Sequence, residues 1–159
     1  HERGCTRVGF LSDKLSGLLR YPAFKKALKV YGLPFDQSIV RVGPERFEKG
    51  GYLRMKEILA SKSRIDGIFI AYDEMAFGAF KAIEEAGLQV PADLKVVSSD
   101  NLSVDDYLSV PLASFNIPHE EMAHAAICRL FDRIKNKGIQ DSVSMLFTPS
   151  FFPRASIGN

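Results

Sequence analysis

The sequence predicts an α/β protein built on a doubly wound, mostly parallel sheet. Two observations carry the prediction. Short apolar runs, too brief for helices, alternate four times with stretches whose apolar residues recur at three-and-four spacing. One unit, from Asp66 to Asn101, shows the alternation in full, with polar residues collected after each strand, where open α/β sheets bind ligands.

The first strand is Arg7 to Ser12, RVGFLS. Phe24, Ala27, Leu28 and Tyr31 form one helix face running to Gly32. Pro22 fits a helix only in its first turn, which places the start near Leu18 to Tyr21. Ile39 to Val42 is a short strand broken by Gly43 and Pro44, and Tyr52, Met55, Ile58 and Leu59 define a second helix face. Gly67 to Ala71 reads as a strand buried on both faces. Asp73 stands at the N-cap of the next helix, whose face is Ala76, Ala79, Phe80, Ile83 and Ala86. Gly87 and Pro91 end that helix, and Leu94 to Val97 is the following strand, leading into Ser98, Ser99, Asp100 and Asn101. The connection between the two strands should be right-handed.

Beyond Asn101 the pattern weakens. Leu112 to Ile117 is a brief strand. A helix from Pro118 to Lys137 places Ala123, Ile127, Leu130, Phe131 and Ile134 on one face, with Lys135 and Lys137 complementing its end before Gly138. Val143 to Phe147 and Phe151 to Arg154 read as closing strands, at edge positions because Pro149 and Pro153 cannot donate to a ladder.

Composition bounds the function. A chain of 159 residues supports one domain with a sizeable core, and 46% apolar with 25% charged residues is ordinary for a globular protein. A net charge of +2, with both signs interspersed, is too mild to claim nucleic acid or membrane as a partner. No apolar run reaches the roughly eighteen residues of a membrane-spanning helix. Cys5 and Cys128 form no metal-ligand pattern, so a reduced cytosolic setting is the default, with Cys128 expected in the core. Enzyme chemistry finds no foothold. His119 and His124 are five apart rather than at the four-residue zinc spacing, and no nucleophile elbow, P-loop or dinucleotide fingerprint is present. No catalytic residue, metal or cofactor is therefore expected.

The stretch DEMAFGAFKAIEEAGLQVPADLKVV resembles the segment that reads roughly NDxMAxGAxxAlxxxGxxVPxDxxVvGfDD in LacI-family bacterial transcription regulators. The likeness extends from GCTRVGFLS, with Cys5 where the family carries a histidine, through PLASFNI to FTPSFFPRAS. It implies a periplasmic-binding-protein-like effector domain. Residues 1–159 would supply most of one lobe, and the Pro118–Lys137 helix would belong to the other. The rest of that other lobe and a helix-turn-helix DNA-binding head would lie outside these residues. The resemblance also implies a homodimer, using the helix after Asp73, and a cytoplasmic location. With most of the other lobe missing, the apolar face of the Pro118–Lys137 helix points to self-association.

The same resemblance points to site residues. Arg20 matches an arginine directed into the effector cleft, where a guanidinium forks onto paired sugar hydroxyls or a carboxylate; read plainly, it is a solvated arginine at a helix start. Asp100 matches an effector-binding aspartate, although Ser98 and Ser99 replace the usual Gly-aromatic pair before it. Asp73 is a second carboxylate at a strand end, suited to hydroxyl pairs, with helix capping as its main task. Tyr72 stands where most relatives carry asparagine and Ile117 where many carry a polar residue; a tyrosine can stack on a sugar face. Ser16 matches a further cleft position, or is a plain loop residue. Phe47 is either the aromatic wall of the cleft or a buried loop aromatic.

The expected function is sensing of a small, sugar-like or polyol effector by a transcription regulator that reaches DNA only through its missing head. Two alternatives remain: a periplasmic sugar-binding protein for uptake, which shares the fold, and a dimerisation module that has lost its ligand. A signal peptide ahead of these residues would favour the first, and the Tyr72 and Ile117 departures favour the second.

Overall fold

A computed structural model describes residues 2–61, 63–135 and 142–158. Six strands form one sheet in the order β2-β1-β3-β4-β5-β6. They are β1 (Val8–Asp13), β2 (Val40–Gly43), β3 (Gly67–Ile70), β4 (Lys95–Asp100), β5 (Ala113–Asn116) and β6 (Ser150–Phe152). The first five run parallel, and β6 pairs antiparallel with β5 at the edge, Phe115 opposite Phe151. This is the doubly wound sheet that the alternation predicts, and Pro149 and Pro153 flank β6 as an edge strand requires.

Four helices accompany the strands: α1 (Lys14–Val30), α2 (Phe47–Ala60), α3 (Asp73–Glu85) and α4 (His119–Lys135). On one face of the sheet, α2 and α3 bring Met55, Ile58, Met75, Ala79 and Ile83 onto Leu11, Ile70, Val96 and Leu112, all buried. On the other face α1 lays Phe24 and Leu28 over Phe10 and Val40. The Phe24 ring stacks on Phe10 at 5.1 Å. β3 accordingly meets helices or solvent only through side chains that are almost wholly apolar, as a strand covered on two faces must.

Contact between α2 and α3 is unusually close. A Cβ on Gly51 would stand 1.7 Å from the Met75 carbonyl oxygen, and one on Gly78 would stand 1.8 Å from that of Glu48. The two backbones cross where neither carries a side chain.

The structure corrects several expectations. α1 begins at Lys14, one to two turns earlier than Pro22 implies, because Asp13 caps it by accepting the Ser16 amide at 2.8 Å. Pro22 then sits inside the helix. α2 begins at Phe47 rather than near Tyr52, with Gly51 inside it at the crossing with α3 and Gly50 against the Glu45 carbonyl. Residues 142–149 form no strand, so Val143 to Phe147 is irregular: its apolar alternation finds no neighbouring edge to pair with. Cys128 is exposed, not buried, because no residue of α4 is buried. Lys137 and Gly138 lie outside the described residues. Asp73 is not a cap; the N-cap of α3 is Tyr72, and the Asp73 carboxylate is used elsewhere.

Candidate functional site

The carboxyl ends of β1, β3 and β4 open onto one polar edge. Parallel strands bring every βα turn to that edge, so residues far apart in sequence meet there. β1 ends in Asp13, β3 leads into Ala71 and Tyr72, and β4 ends in Asp100.

Arg20, on the second turn of α1, donates from Nη1 to the Ala71 carbonyl and places Nη2 4.0 Å from Asp100 Oδ1. Both side chains keep about a third of their surface or somewhat less in solvent, at 32% and 27%. The separation exceeds a hydrogen bond, so the pair is aligned without being consumed by its own contact. Burial pushes the Asp100 carboxyl above the usual range; Arg20 opposes this, Asp73 and Glu74 add to it, and His119 opposes it more weakly. A partly dry carboxylate beside a guanidinium offers acceptors and donors together, which suits adjacent hydroxyls on one ligand.

Asp100 occupies a demanding backbone position. Its φ is +119° and that of Asn101 is +57°, both in the region that L residues rarely adopt. Three contacts hold the turn. The Asn101 amide donates to Ser114 Oγ at 3.0 Å, the Leu102 amide donates to Asp73 Oδ2 at 3.0 Å, and Arg154 donates to Asn101 Oδ1 at 2.7 Å. Asp73 also accepts the Ser98 hydroxyl and, at 2.8 Å, the Ser114 hydroxyl. Asp73, Ser98 and Ser114 are all fully buried. Asp73, expected among the ligand-facing carboxylates, therefore works from beneath the site. Ser98 replaces a glycine of the resembled pattern with a donor for this buried carboxylate, and Ser99 donates to the Ala71 carbonyl at 2.8 Å.

Tyr72 is only 5% exposed, which leaves little of its ring for stacking on a ligand. Its hydroxyl accepts the Phe47 amide at 2.9 Å and bonds the Asp13 carboxylate. Burial raises the Tyr72 hydroxyl, with the Phe47 amide opposing and Asp13 reinforcing the rise. Asp13 itself is held low: burial works against its charge, but the Ser16 amide, the Tyr72 hydroxyl and the Ser16 hydroxyl outweigh it. Ser16 lies at the rim with its side chain turned to Asp13 at 3.2 Å. Phe47 is the first residue of α2, not a loop aromatic, with φ +54° and its ring 46% exposed. That ring meets Tyr72 edge-on at 6.1 Å and lies under the Arg46 guanidinium at 4.7 Å.

Arg20, Asp100, Tyr72, Asp73, Ser16 and Phe47 thus come to one edge, with Arg20 and Asp100 the two whose charges face it. Sequence reasoning missed Asp13, Arg46, Ser114 and Arg154. Asp13 had a legible signal, an aspartate three residues before a serine at a strand-to-helix junction. Arg154, from the far end of the chain, had none. Among the described residues no group of His, Cys, Asp and Glu side chains is arranged to hold a metal ion, and no helix is long and apolar enough to cross a membrane.

Residues 1–157 match the family described as periplasmic binding protein-like domain. The chain is 35% identical over 160 aligned positions to the HTH-type transcriptional repressor PurR of Photorhabdus laumondii subsp. laumondii, covering 98% of this chain and 46% of that protein. The chain thus spans about half the length of the curated relatives it matches. Among solved structures, a transcriptional regulator CelR–cellobiose complex superposes with a TM-score of 0.89 at 26% identity, over 98% of this chain and 48% of that one. A LacI family transcriptional regulator from Enterococcus faecium with bound ribose superposes with a TM-score of 0.83 at 27% identity, over 99% and 58%. The chain therefore belongs to the periplasmic-binding-protein-like domain family, and within it resembles the effector domain of LacI-family transcriptional regulators.

Proposed function

We propose that this chain is the effector-sensing part of a LacI-type transcription regulator, taking a small sugar or related polyol between Arg20 and Asp100. One observation carries the reading: a guanidinium and a carboxylate 4.0 Å apart, both partly exposed, at the carboxyl edge of a parallel sheet. Two relatives of known structure carry cellobiose and ribose, which agrees with a hydroxyl-rich ligand. In this reading the ligand draws a second lobe onto the edge, and closure changes how two subunits set their DNA heads. The protein works as a cytoplasmic homodimer, without catalysis, and meets DNA only through a head outside these residues. α4 belongs to the second lobe; its Ile127, Leu130, Phe131 and Ile134 are each more than half exposed, as expected of a helix away from its partner surface. The Tyr72 ring, tied down by Asp13 and Phe47, supports a smaller or differently shaped ligand than an asparagine floor would take.

Calorimetry of the full-length protein against ribose, cellobiose and other sugars tests this. With a binder in hand, Arg20→Ala and Asp100→Ala should each weaken it about ten- to hundredfold, since a hydrogen bond to a charged group contributes roughly 1.5–3 kcal/mol. Unchanged affinity in both variants removes the pair from the site. Tyr72→Asn should change which sugar binds best.

A further inference from the structure

Beneath the Asp100 turn lies a second carboxyl that the site does not use. Asp105 is fully buried in the short 3-10 turn Ser103–Tyr107, and neither of its oxygens finds a hydrogen-bond donor among the described residues. Its neighbour is the carboxyl of Asp73, within hydrogen-bonding reach from α3. The nearest cation, Arg154, stands 4.0 Å away and is engaged elsewhere, by Asp106 at 2.6 Å, the Leu112 carbonyl at 2.9 Å and Asn101 at 2.7 Å. Asp106 points its charge outward, 61% exposed.

Two ionised carboxylates cannot share a dry site as acceptors alone; a proton between them turns the clash into a hydrogen bond. Asp73 is already the acceptor for Ser98, Ser114 and the Leu102 amide, so the proton belongs on Asp105. We propose that Asp105 is a positioning residue for the effector site, protonated at neutral pH and donating to Asp73, so that the buried pair locks the turn that presents Asp100. Loss of that proton puts two negative charges under the turn, and the Leu102 and Asn101 contacts that hold its strained backbone loosen together.

The direction of titration agrees with the geometry. Burial first, then the Asp73 hydrogen bond and charge, and more weakly Asp106, push the Asp105 carboxyl up to about 8, against the pull of Arg154. The folded chain therefore holds a proton that the unfolded chain releases near pH 4. The stability linked to this proton is therefore fully present below that pH and is lost as pH rises through about 8, where the folded chain gives the proton up. The other facing groups are the Ser98 and Ser114 hydroxyls, from β4 and β5, and the Arg154 guanidinium, from the segment after β6.

The inference deepens the proposed effector site, and its consequence for binding rests on that reading, but the experiment needs no effector. The intact protein is labelled with 13C-aspartate and 15N, and the Asp105 carboxyl carbon and the Asn101 and Leu102 amides are followed from about pH 5.5 to 9.5. The carboxyl should titrate with a midpoint near 8, and both amides should move with the same midpoint. In Asp105→Asn, whose amide donates to Asp73 at every pH, the two amide signals should keep their low-pH positions throughout. An Asp105 midpoint near 4, amides that ignore the Asp105 transition, or amides that still move in Asp105→Asn would each overturn the proposal. Where Asp105→Asn does not fold, the titration of the unaltered protein decides alone. A failure to bind any sugar leaves this result untouched, so the two ideas fail separately.

Discussion

Substituting alanine for Gly78 sets two opposed effects against each other. Helix propensity alone favours the change by about 1 kcal/mol, because Gly78 lies inside α3. The crossing with α2 opposes it. The new Cβ would lie 1.8 Å from the Glu48 carbonyl oxygen, 2.6 Å from its carbon and 2.8 Å from the Tyr52 nitrogen. These are backbone atoms and cannot rotate away, so the helices must part by more than about 1 Å to restore ordinary contact. Parting them unpacks Met55, Ile58, Met75 and Ala79, each fully buried. Overpacking of this kind costs about 1–3 kcal/mol when side chains can adjust, and more where they cannot. The clash wins, with a net loss of at least about 2 kcal/mol. In a urea titration, with a slope of about 2 kcal/mol per molar, the midpoint should fall by about 1 M or more. Gly51→Ala meets the Met75 carbonyl at 1.7 Å and should behave alike. The double substitution should cost less than the sum, because helices already parted for one Cβ accommodate the other. A Gly78→Ala midpoint at or above that of the unaltered protein would refute the close crossing, and fully additive losses would refute a shared contact.

Two further outcomes are expected. Asp73→Ala leaves the Ser98 and Ser114 hydroxyls and the Leu102 amide without their acceptor, which should cost about 3–5 kcal/mol and lower the urea midpoint; an unchanged midpoint would mean that water or another group replaces the carboxylate. The apolar face of α4 should drive association of the 159-residue chain, since leaving such side chains wet costs roughly 1.5–3 kcal/mol each. Sedimentation at micromolar concentration should show a species heavier than one chain and Phe131→Glu should shift it towards monomer, whereas a clean monomer of the unaltered chain would defeat the idea.

The fold was legible because its signals are local and repeated. The run from Gly67 to Ala71, the apolar face of α3 and the Gly87 stop each act within a few residues, and the structure keeps them with boundaries moved by a residue or so. Where the reading failed, a distant contact overrode a local rule. Pro22 argues for a late start to α1, but an aspartate at the end of β1 supplies the cap and the helix absorbs the proline. The stretch before Tyr52 was read as loop, yet it belongs to α2, and Gly51 within it is where the α3 backbone comes closest. Val143 to Phe147 alternates like a strand, but a strand exists only where a neighbour pairs with it.

The site divides along the same line. Arg20 and Asp100 were proposed through motif position, and the fold brings them together from the second turn of α1 and the end of β4. What holds them was not visible. Asp73 looked like a cap because aspartate after a strand usually is one. Its actual task depends on Ser98 one strand away and Ser114 two strands away, joined to it only once the sheet has formed. Arg154 reaches Asn101 from 53 residues further along the chain. Tyr72 shows the converse: from sequence it is a bulky replacement aimed at the ligand, and in the fold its hydroxyl is spent on Asp13 and the Phe47 amide. Candidates for facing a ligand can therefore be proposed from position along a chain. The buried groups that set their geometry are defined by what they face across the sheet, and changes there alter a site without altering any residue the ligand would touch.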